Sequence, residues 1–467
     1  MNRTLAALLA AAVGTASPST PSLAQASVPG KVEIAFNRYY THAELNDHVR
    51  RIAQAYPELV ELVTIGESLE GREMLVAIVS PRNGPPHTDK PAIWIEGNVH
   101  GNEVQASEVV LYTLWYLTRH YGSTDEITRV MDEKAFYLLV SVNPDGRDRW
   151  FEHPQTSSSS RGNVRPVDND NDGLFDEDGP DDLNGDGSIS TMWVRDEEGD
   201  FVRSQTDPRV FQRVKPGEKG QWRFAGFEGI DNDGDGRINE DPVGGDDMNR
   251  NWPAGWQPEH VQRGAGPYPF SHPETRAIGE FILRHPNIAG AQSYHNAGGM
   301  ILRGPGGEHR NEFYPRDDAR MYDEMGKLGE ELIPYYRSMV IYKDLYTVHG
   351  GFVNWIAEGL GAAAFTNELW TASKMFQKSV SDPSDDQDWI WRDRLLFGQT
   401  FIDYTEVDHP TYGRVLVGGP NKWSSRNTPT FMLEEEAHRN FAFTVYHADQ
   451  MPVLRFGRTR VERLPNG

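Results

Sequence analysis

The sequence predicts an α/β protein with a largely buried sheet, interrupted by one long, acidic, loop-rich insertion. Short apolar runs of strand length alternate with amphipathic runs of helix length from Phe36 to Val142, and the alternation resumes over 273–368. That pattern points to strands covered by helices. Between about Thr156 and Gly245 apolar runs are few, and Gly, Asp, Asn and Ser dominate. Such a stretch reads as an insertion into one domain, and no solenoid-length repeat accompanies it.

Taken in order, residues 1–26 place Arg3 ahead of an apolar stretch, Leu5 to Val13, and end on Ala24-Gln25-Ala26. This is the layout of a secretory signal peptide cleaved after Ala26. The stretch falls short of the ~20 residues a spanning helix needs, and no later segment is long and apolar enough to span a bilayer. The expected location is therefore periplasmic or extracellular. "THAELNDHVRRIAQAYP" reads as the first helix, followed by strands "VELVTIG" and "EMLVAIVS". A strand at 92–96, a helix from about Val104 to Tyr121 and a strand "AFYLLVSV" at 135–142 come next. Beyond the insertion lie a helix at 273–285, a strand "IAGAQSY" at 288–294, a helix at about 316–338 and a strand "GAAAFTNE" at 361–368. "EEEAHRNFAFTVYHADQ" reads as a closing helix.

A formal net charge of −23 argues against a nucleic-acid partner, which would need Lys/Arg clusters to meet phosphates. Much of the charge sits between Asp168 and Asp247, so it reports one segment and not the whole surface. The chain has no cysteine. Disulfides and thiolate ligands are thereby removed, and any metal must be held by His, Asp or Glu.

"NVHGNEVQAS" at 98–107 places His100 and Glu103 where a strand gives way to a helix, the edge at which open α/β sheets bind ligands. A His-x-x-Glu pair by itself recurs by chance as a polar turn. A second histidine, His295, ends another buried strand, and Glu368 ends a third. A carboxylate buried there is costly without a partner, and a glutamate beside a metal-activated water is a sensible general base. "NPDGR" at 143–147 and "MNRNWPAGW" at 248–256 add further polar residues at strand ends and at the close of the insertion.

Together these residues resemble the zinc carboxypeptidases of the carboxypeptidase A and B type. "HGNE" is similar to the family's His-x-x-Glu ligand motif, "SYH" to its strand-end third ligand, "NPDG" to its turn and "NRNW" to its carboxylate-binding Asn-Arg pair. "YTVHGGFVNWIAEGLGAAAFTNE", Tyr346 to Glu368, aligns without a gap with the segment between the family's mobile tyrosine and catalytic glutamate, with Gly350, Gly351 and Trp355 in place. The resemblance covers roughly 36–375 apart from the insertion. It implies a three-layer α/β/α fold around a mixed, mostly parallel sheet. The mature chain, 27–467, would be one catalytic domain that includes the 156–245 insertion and a C-terminal elaboration over 376–467.

The resemblance also implies roles. His100, Glu103 and His295 would hold one Zn²⁺ with water in the fourth position, and Glu368 would be the general base. The oxyanion-stabilising arginine falls in "RGNVR", with Arg161 as first choice and Arg165 as second. That match is poorer, and Arg147 or Arg149 could be substitutes or salt-bridging surface residues. Asn249 and Arg250 would receive the free C-terminal carboxylate of a peptide substrate, and Tyr346 would fold over the bound residue. Val353, at the floor of the side-chain pocket, leans toward apolar side chains. The implied activity is a metallocarboxypeptidase. Relatives of the same site act on peptidoglycan stem peptides or side-chain-linked glutamates, and that alternative stays open. A non-catalytic zinc/calcium-binding module is disfavoured by Glu368, and a zinc esterase by the intact Asn249-Arg250 pair.

The insertion holds three stretches with oxygen side chains at alternate positions followed by Gly: Asp168, Asp170 and Asp172; Asp182, Asn184 and Asp186; and Asp231, Asp233 and Asp235. That is how calcium loops wrap a hard cation. Position twelve is Gly179, Trp193 or Pro242, so none is an EF-hand. Structural Ca²⁺ is the expectation, and it is not inherited from the family.

Overall fold

The computed structural model describes residues 30–169, 171–379 and 385–454. The predicted signal peptide, 1–26, and Asp170 lie outside them. Eight strands form the main sheet: β1 (Val60–Glu67), β2 (Glu73–Val79), β3 (Ala92–Gly97), β4 (Ala135–Leu139), β9 (Ile288–Asn296), β10 (Met300–Arg303), β11 (Arg337–Val340) and β12 (Ala363–Leu369). Their order is β1-β2-β4-β3-β9-β12-β10-β11. The central pairs β4–β3, β3–β9 and β9–β12 run parallel, as does the edge pair β10–β11, while β1–β2, β2–β4 and β12–β10 run antiparallel.

Helices α1 (His42–Ala55), α2 (Gln105–His120), α3 (Asp125–Glu133), α6 (Arg316–Leu332) and α10 (Leu433–Gln450) cover one face. The other face is covered by α5 (Pro273–Arg284), by the short α7 (Phe352–Asn354) and by the Met248–Trp252 segment. The three layers are those expected. Strand β4, and β3 as far as Ile95, read as apolar runs because both of their faces are buried. The first helix starts on a capping box, in which Thr41 and Glu44 satisfy each other's backbone N–H groups.

Two elements differ from the sequence reading. The helix expected at 316–338 stops at Leu332, and Arg337–Val340 is strand β11. Pro334 has no N–H to continue the helix and pushes Ile333 out of helical backbone, so the chain leaves early. The insertion is also more ordered than its composition predicts. Strands β5 (Thr191–Arg195), β6 (Phe201–Arg203), β7 (Phe211–Arg213) and β8 (Trp222–Phe227) join β13 (Phe401–His409) and β14 (Gly413–Pro420). They form a second, antiparallel sheet of six strands, ordered β13-β14-β5-β8-β6-β7. The insertion lacks the apolar residues for its own core, and the C-terminal elaboration lends them: Met192 packs on Val415 and Val417. On this sheet Trp193 stacks on Phe211 at 3.9 Å between ring centroids. The remaining helices are α4 (Pro144–Glu152), α8 (Ala372–Phe376) and α9 (Asp385–Leu395). Among the described residues no helix is long and apolar enough to cross a membrane.

Candidate active site

The site is assembled at the C-terminal edge of β3, β9 and β12. Just past β3, Asn98 takes left-handed backbone (φ 63°) and its amide donates to the carbonyls of His100 and Gly101. That turn aims His100 and Glu103 inward ahead of α2. A side chain at Gly101 would strike the Gly146 backbone and the Ser160 carbonyl, both 2.4 Å from where a Cβ would sit. The "HGNE" and "NPDG" turns therefore pack backbone to backbone, and Gly101 N–H donates to the Arg161 carbonyl at 3.1 Å. Asn143 caps α4 by accepting from Gly146 N–H, and its amide donates to the Gly162 carbonyl. Arg161 is thus fixed by the turn beside it.

His100 Nδ1 lies 2.9 Å from Glu103 Oε1, and His295 Nδ1 lies 3.1 Å from Glu103 Oε2 and 3.2 Å from His100 Nδ1. All three side chains are buried. Burial alone would push the Glu103 carboxyl up, but His100 and His295 hold it well below the usual carboxylate range. Glu368 faces His295 directly in the parallel β9–β12 register. Burial, with the Glu103 carboxylate adding to it, pushes Glu368 up to about 7 against the pull of His295, Arg161 and Arg426.

Asp247 was not singled out from the sequence, and it ties the site together. Its Oδ1 is 2.9 Å from His100 Nε2 and accepts from Asn249 N–H at 2.8 Å. Its Oδ2 accepts from Arg161 Nε at 3.3 Å. Burial opposes its ionisation, yet His100, Arg250 and Arg161 hold it well below the usual range. Its position two residues before Asn249, in "DDMNRNW", is the signal that could have found it.

Arg161 donates to Glu103 Oε1 at 3.0 Å, which favours it over Arg165, whose guanidinium pairs with Asp246. Arg147 is not a surface residue. It is fully buried, paired with Glu108 at 2.8 Å, and donates to the Tyr40 and Val104 carbonyls, so it braces the metal loop from beneath. Asn249 and Arg250 sit on a single helical turn capped by Asp247. Tyr346 is 56% exposed at the rim, and Val353 is buried on α7. Every predicted zinc-site and substrate-site residue except Glu103 lines one cleft of about 50 Å³. Larger cavities of about 320 and 460 Å³ hold none of them and one of about 350 Å³ takes in only Arg161, so size does not mark the chemistry here. Arg426, from the C-terminal elaboration, comes within 3.8 Å of Glu103 Oε1 and donates to the Asn296 carbonyl. No local motif announces it.

The family model described as zinc carboxypeptidase (Peptidase_M14) matches residues 45–205 and 221–389. The chain belongs to the zinc carboxypeptidase family. Carboxypeptidase D of Anas platyrhynchos is 31% identical over 151 residues, 32% of this chain and 10% of that protein. Carboxypeptidase Z of Homo sapiens is 32% identical over 126 residues, 26% of this chain and 19% of that protein. The chain thus matches a small part of the length of these relatives. Among solved structures, carboxypeptidase A from Helicoverpa armigera superposes with a TM-score of 0.53 at 15% identity, over 91% of this chain and 78% of that one. Thrombin activatable fibrinolysis inhibitor gives 0.51 at 16% identity, over 89% and 75%. At these identities the superpositions speak to the fold.

Family membership implies a catalytic zinc, and the residues fit one. Two imidazole nitrogens and a carboxylate whose ligand atoms lie within 4.8 Å of one another are the donor set of a catalytic zinc site with a position left open. In the acidic insertion the structure gathers three further groups: Asp172, Glu177 and Asp233; Asp178, Asp233 and Glu240; and Asp231, Asp233 and Asp235. The first and third acidic loops meet, joined by a bridge between Asp178 and Asp241. Among the described residues Asp168, Asp182 and Asp186 enter no such group of acids. Asp168 and Asp182 instead accept backbone N–H groups of their own turns.

Proposed function

We propose that this protein is a zinc-dependent carboxypeptidase that hydrolyses the C-terminal peptide bond of peptides. The observation that carries the reading is the presence, in one site, of the His100–Glu103–His295 donor set, the Glu368 carboxyl and the Asn249–Arg250 pair. Zinc, when bound, supplies a Lewis acid that polarises the scissile carbonyl and lowers the pKa of water. Arg250 offers a planar fork to the substrate's terminal carboxylate and Asn249 donates beside it, which selects a free C-terminus. Tyr346 closes over the bound residue and keeps water out, while Val353 gives the side-chain pocket an apolar wall. A Glu368 oxygen takes the proton of the attacking water and delivers it to the leaving amine. The Arg161 guanidinium faces the carbonyl oxygen as negative charge develops there.

Matched peptides with free and amidated C-termini, together with muropeptides, test the reading. Release of single residues from free-acid peptides is expected. Cleavage confined to cell-wall fragments would move the assignment to a peptidoglycan amidase.

We also infer that the first and third acidic loops bind Ca²⁺. Glu177 and Glu240 each crowd against a second acid, Asp241 and Asp178 respectively, with no basic side chain among the largest causes of their shifts. Burial and Asp241 push Glu177 up to about 7, and burial and Asp178 do the same to Glu240. A cation relieves such crowding of acids. Calorimetric titration of Ca²⁺ into chelator-treated protein tests this, and an absence of binding heat at millimolar Ca²⁺ would sink it. Export is inferred from the pattern of residues 1–26, with an N-terminus at Ser27 expected in the periplasmic or secreted protein on sequencing.

A further inference from the structure

The two histidines of the donor set are held in unequal ways. Both present Nδ1 to Glu103, so a bound metal would be held through Nδ1 of each, with Nε2 left as an N–H donor. His100 Nε2 meets a carboxylate directly, at Asp247. His295 Nε2 does not. Within reach it has the Asn249 side-chain amide nitrogen at 3.5 Å and Ser293 Oγ at 3.3 Å. The Asn249 amide cannot turn round to accept, because its oxygen already accepts from Phe352 N–H at 3.0 Å. That leaves Ser293 Oγ as the acceptor.

Ser293 then has one proton to place, and it goes to Glu96. The serine hydroxyl lies 3.3 Å from Glu96 Oε1, and the two residues are direct cross-strand partners in the parallel β3–β9 register. The other oxygen, Oε2, accepts from Trp94 Nε1–H at 2.8 Å, two residues back on the same face of β3. Glu96 is fully buried, in a central strand of the sheet, where an acid has no packing advantage over an apolar residue. Its place is explained by the chain it ends.

We propose that Glu96 and Ser293 are positioning residues for the third metal ligand, forming a chain from His295 Nε2–H to Ser293 Oγ–H to Glu96 Oε1. The chain fixes the tautomer and ring orientation of His295, as Asp247 does for His100. Trp94 in turn fixes the rotamer of Glu96. The strand register itself therefore aims the ligand, since Glu96 and Ser293 meet only when β3 and β9 are correctly paired.

The proposal rests on the zinc reading above, and the test separates the two. Zinc affinity is measured by competition with a chromogenic chelator, alongside the absorption bands of the Co²⁺-substituted protein. A wild-type protein that binds no zinc removes the zinc reading itself. With wild-type binding established, Ser293→Ala should weaken zinc ~10–100-fold, the usual cost of losing a partner behind a ligating histidine. Ser293→Thr, which keeps the hydroxyl, should restore binding to within about threefold. Glu96→Ala should match Ser293→Ala, and the double variant should be no worse than either. Should Glu96→Ala fail to fold, the serine pair carries the test. Wild-type affinity in Ser293→Ala overturns the proposal, as does a Thr variant as weak as the Ala variant. Additive losses in the double variant overturn it as well.

Discussion

Asp247→Asn isolates the carboxylate on which three functional groups converge. Two oxygens of Asp247 serve His100 Nε2, the Asn249 N–H and Arg161, with Arg250 at 4.0 Å. An asparagine of the same shape keeps one acceptor and turns the other oxygen into an N–H₂ donor. That donor must face either His100 or Arg161, and a bond to a charged group is lost in either orientation. Such bonds are worth ~1.5–3 kcal/mol, roughly a 10- to 150-fold effect at 1.36 kcal/mol per decade. Loss at His100 appears as weaker zinc binding, and loss at Arg161 appears as lower kcat even when zinc saturates. Both quantities are measured on the one variant, by chelator competition and by steady-state cleavage of a free-acid peptide with excess zinc. The expectation is one of two losses: zinc affinity down ~10–100-fold where the amide faces His100, or saturated kcat down by a similar factor where it faces Arg161. If zinc affinity and saturated kcat both stay within about twofold of wild type, Asp247 is not the organiser argued for here.

Glu368→Gln should retain zinc while kcat falls ~10²–10⁴-fold, and a near-normal kcat would hand proton transfer to another group. Arg250→Ala should lower kcat/KM on free-acid peptides far more than any residual rate on amidated ones; equal losses would mean Arg250 serves the fold. Ca²⁺ should raise the melting temperature more at pH 8 than at pH 5. Glu177 and Glu240 titrate near 7 in the folded protein against 4.5 ordinarily, so their protonation favours the fold below about 4.5 and that contribution is lost as pH rises through about 7. A melting gain that does not change with pH would refute the loop assignment.

How much of this was legible before folding depends on how far apart the cooperating residues lie. His100 and Glu103, or Asn249 and Arg250, are short-range pairs on turns next to apolar strands, and residue type plus spacing marks them. Glu368 and His295 are distant in sequence, yet each ends a buried strand, so the strand pattern places both at the same sheet edge. Glu96 and Ser293 also lie on strands, but inside them, and only the β3–β9 register brings them together. Arg426 reaches Glu103 from the C-terminal elaboration, across the whole domain, and carries no local mark.

The sequence by itself determined the α/β class, the sheet edge that bears the chemistry, and the donor types, since no cysteine was there to compete. Those follow from periodicity, apolar runs and turn residues, which are local. Only the tertiary structure decided which arginine faces Glu103, that Arg147 is a buried brace, that Asp247 ties ligand to clamp, and that the insertion shares a sheet with the C-terminal strands. Each of these is a contact between segments far apart in the chain, and nothing local in either partner specifies the other.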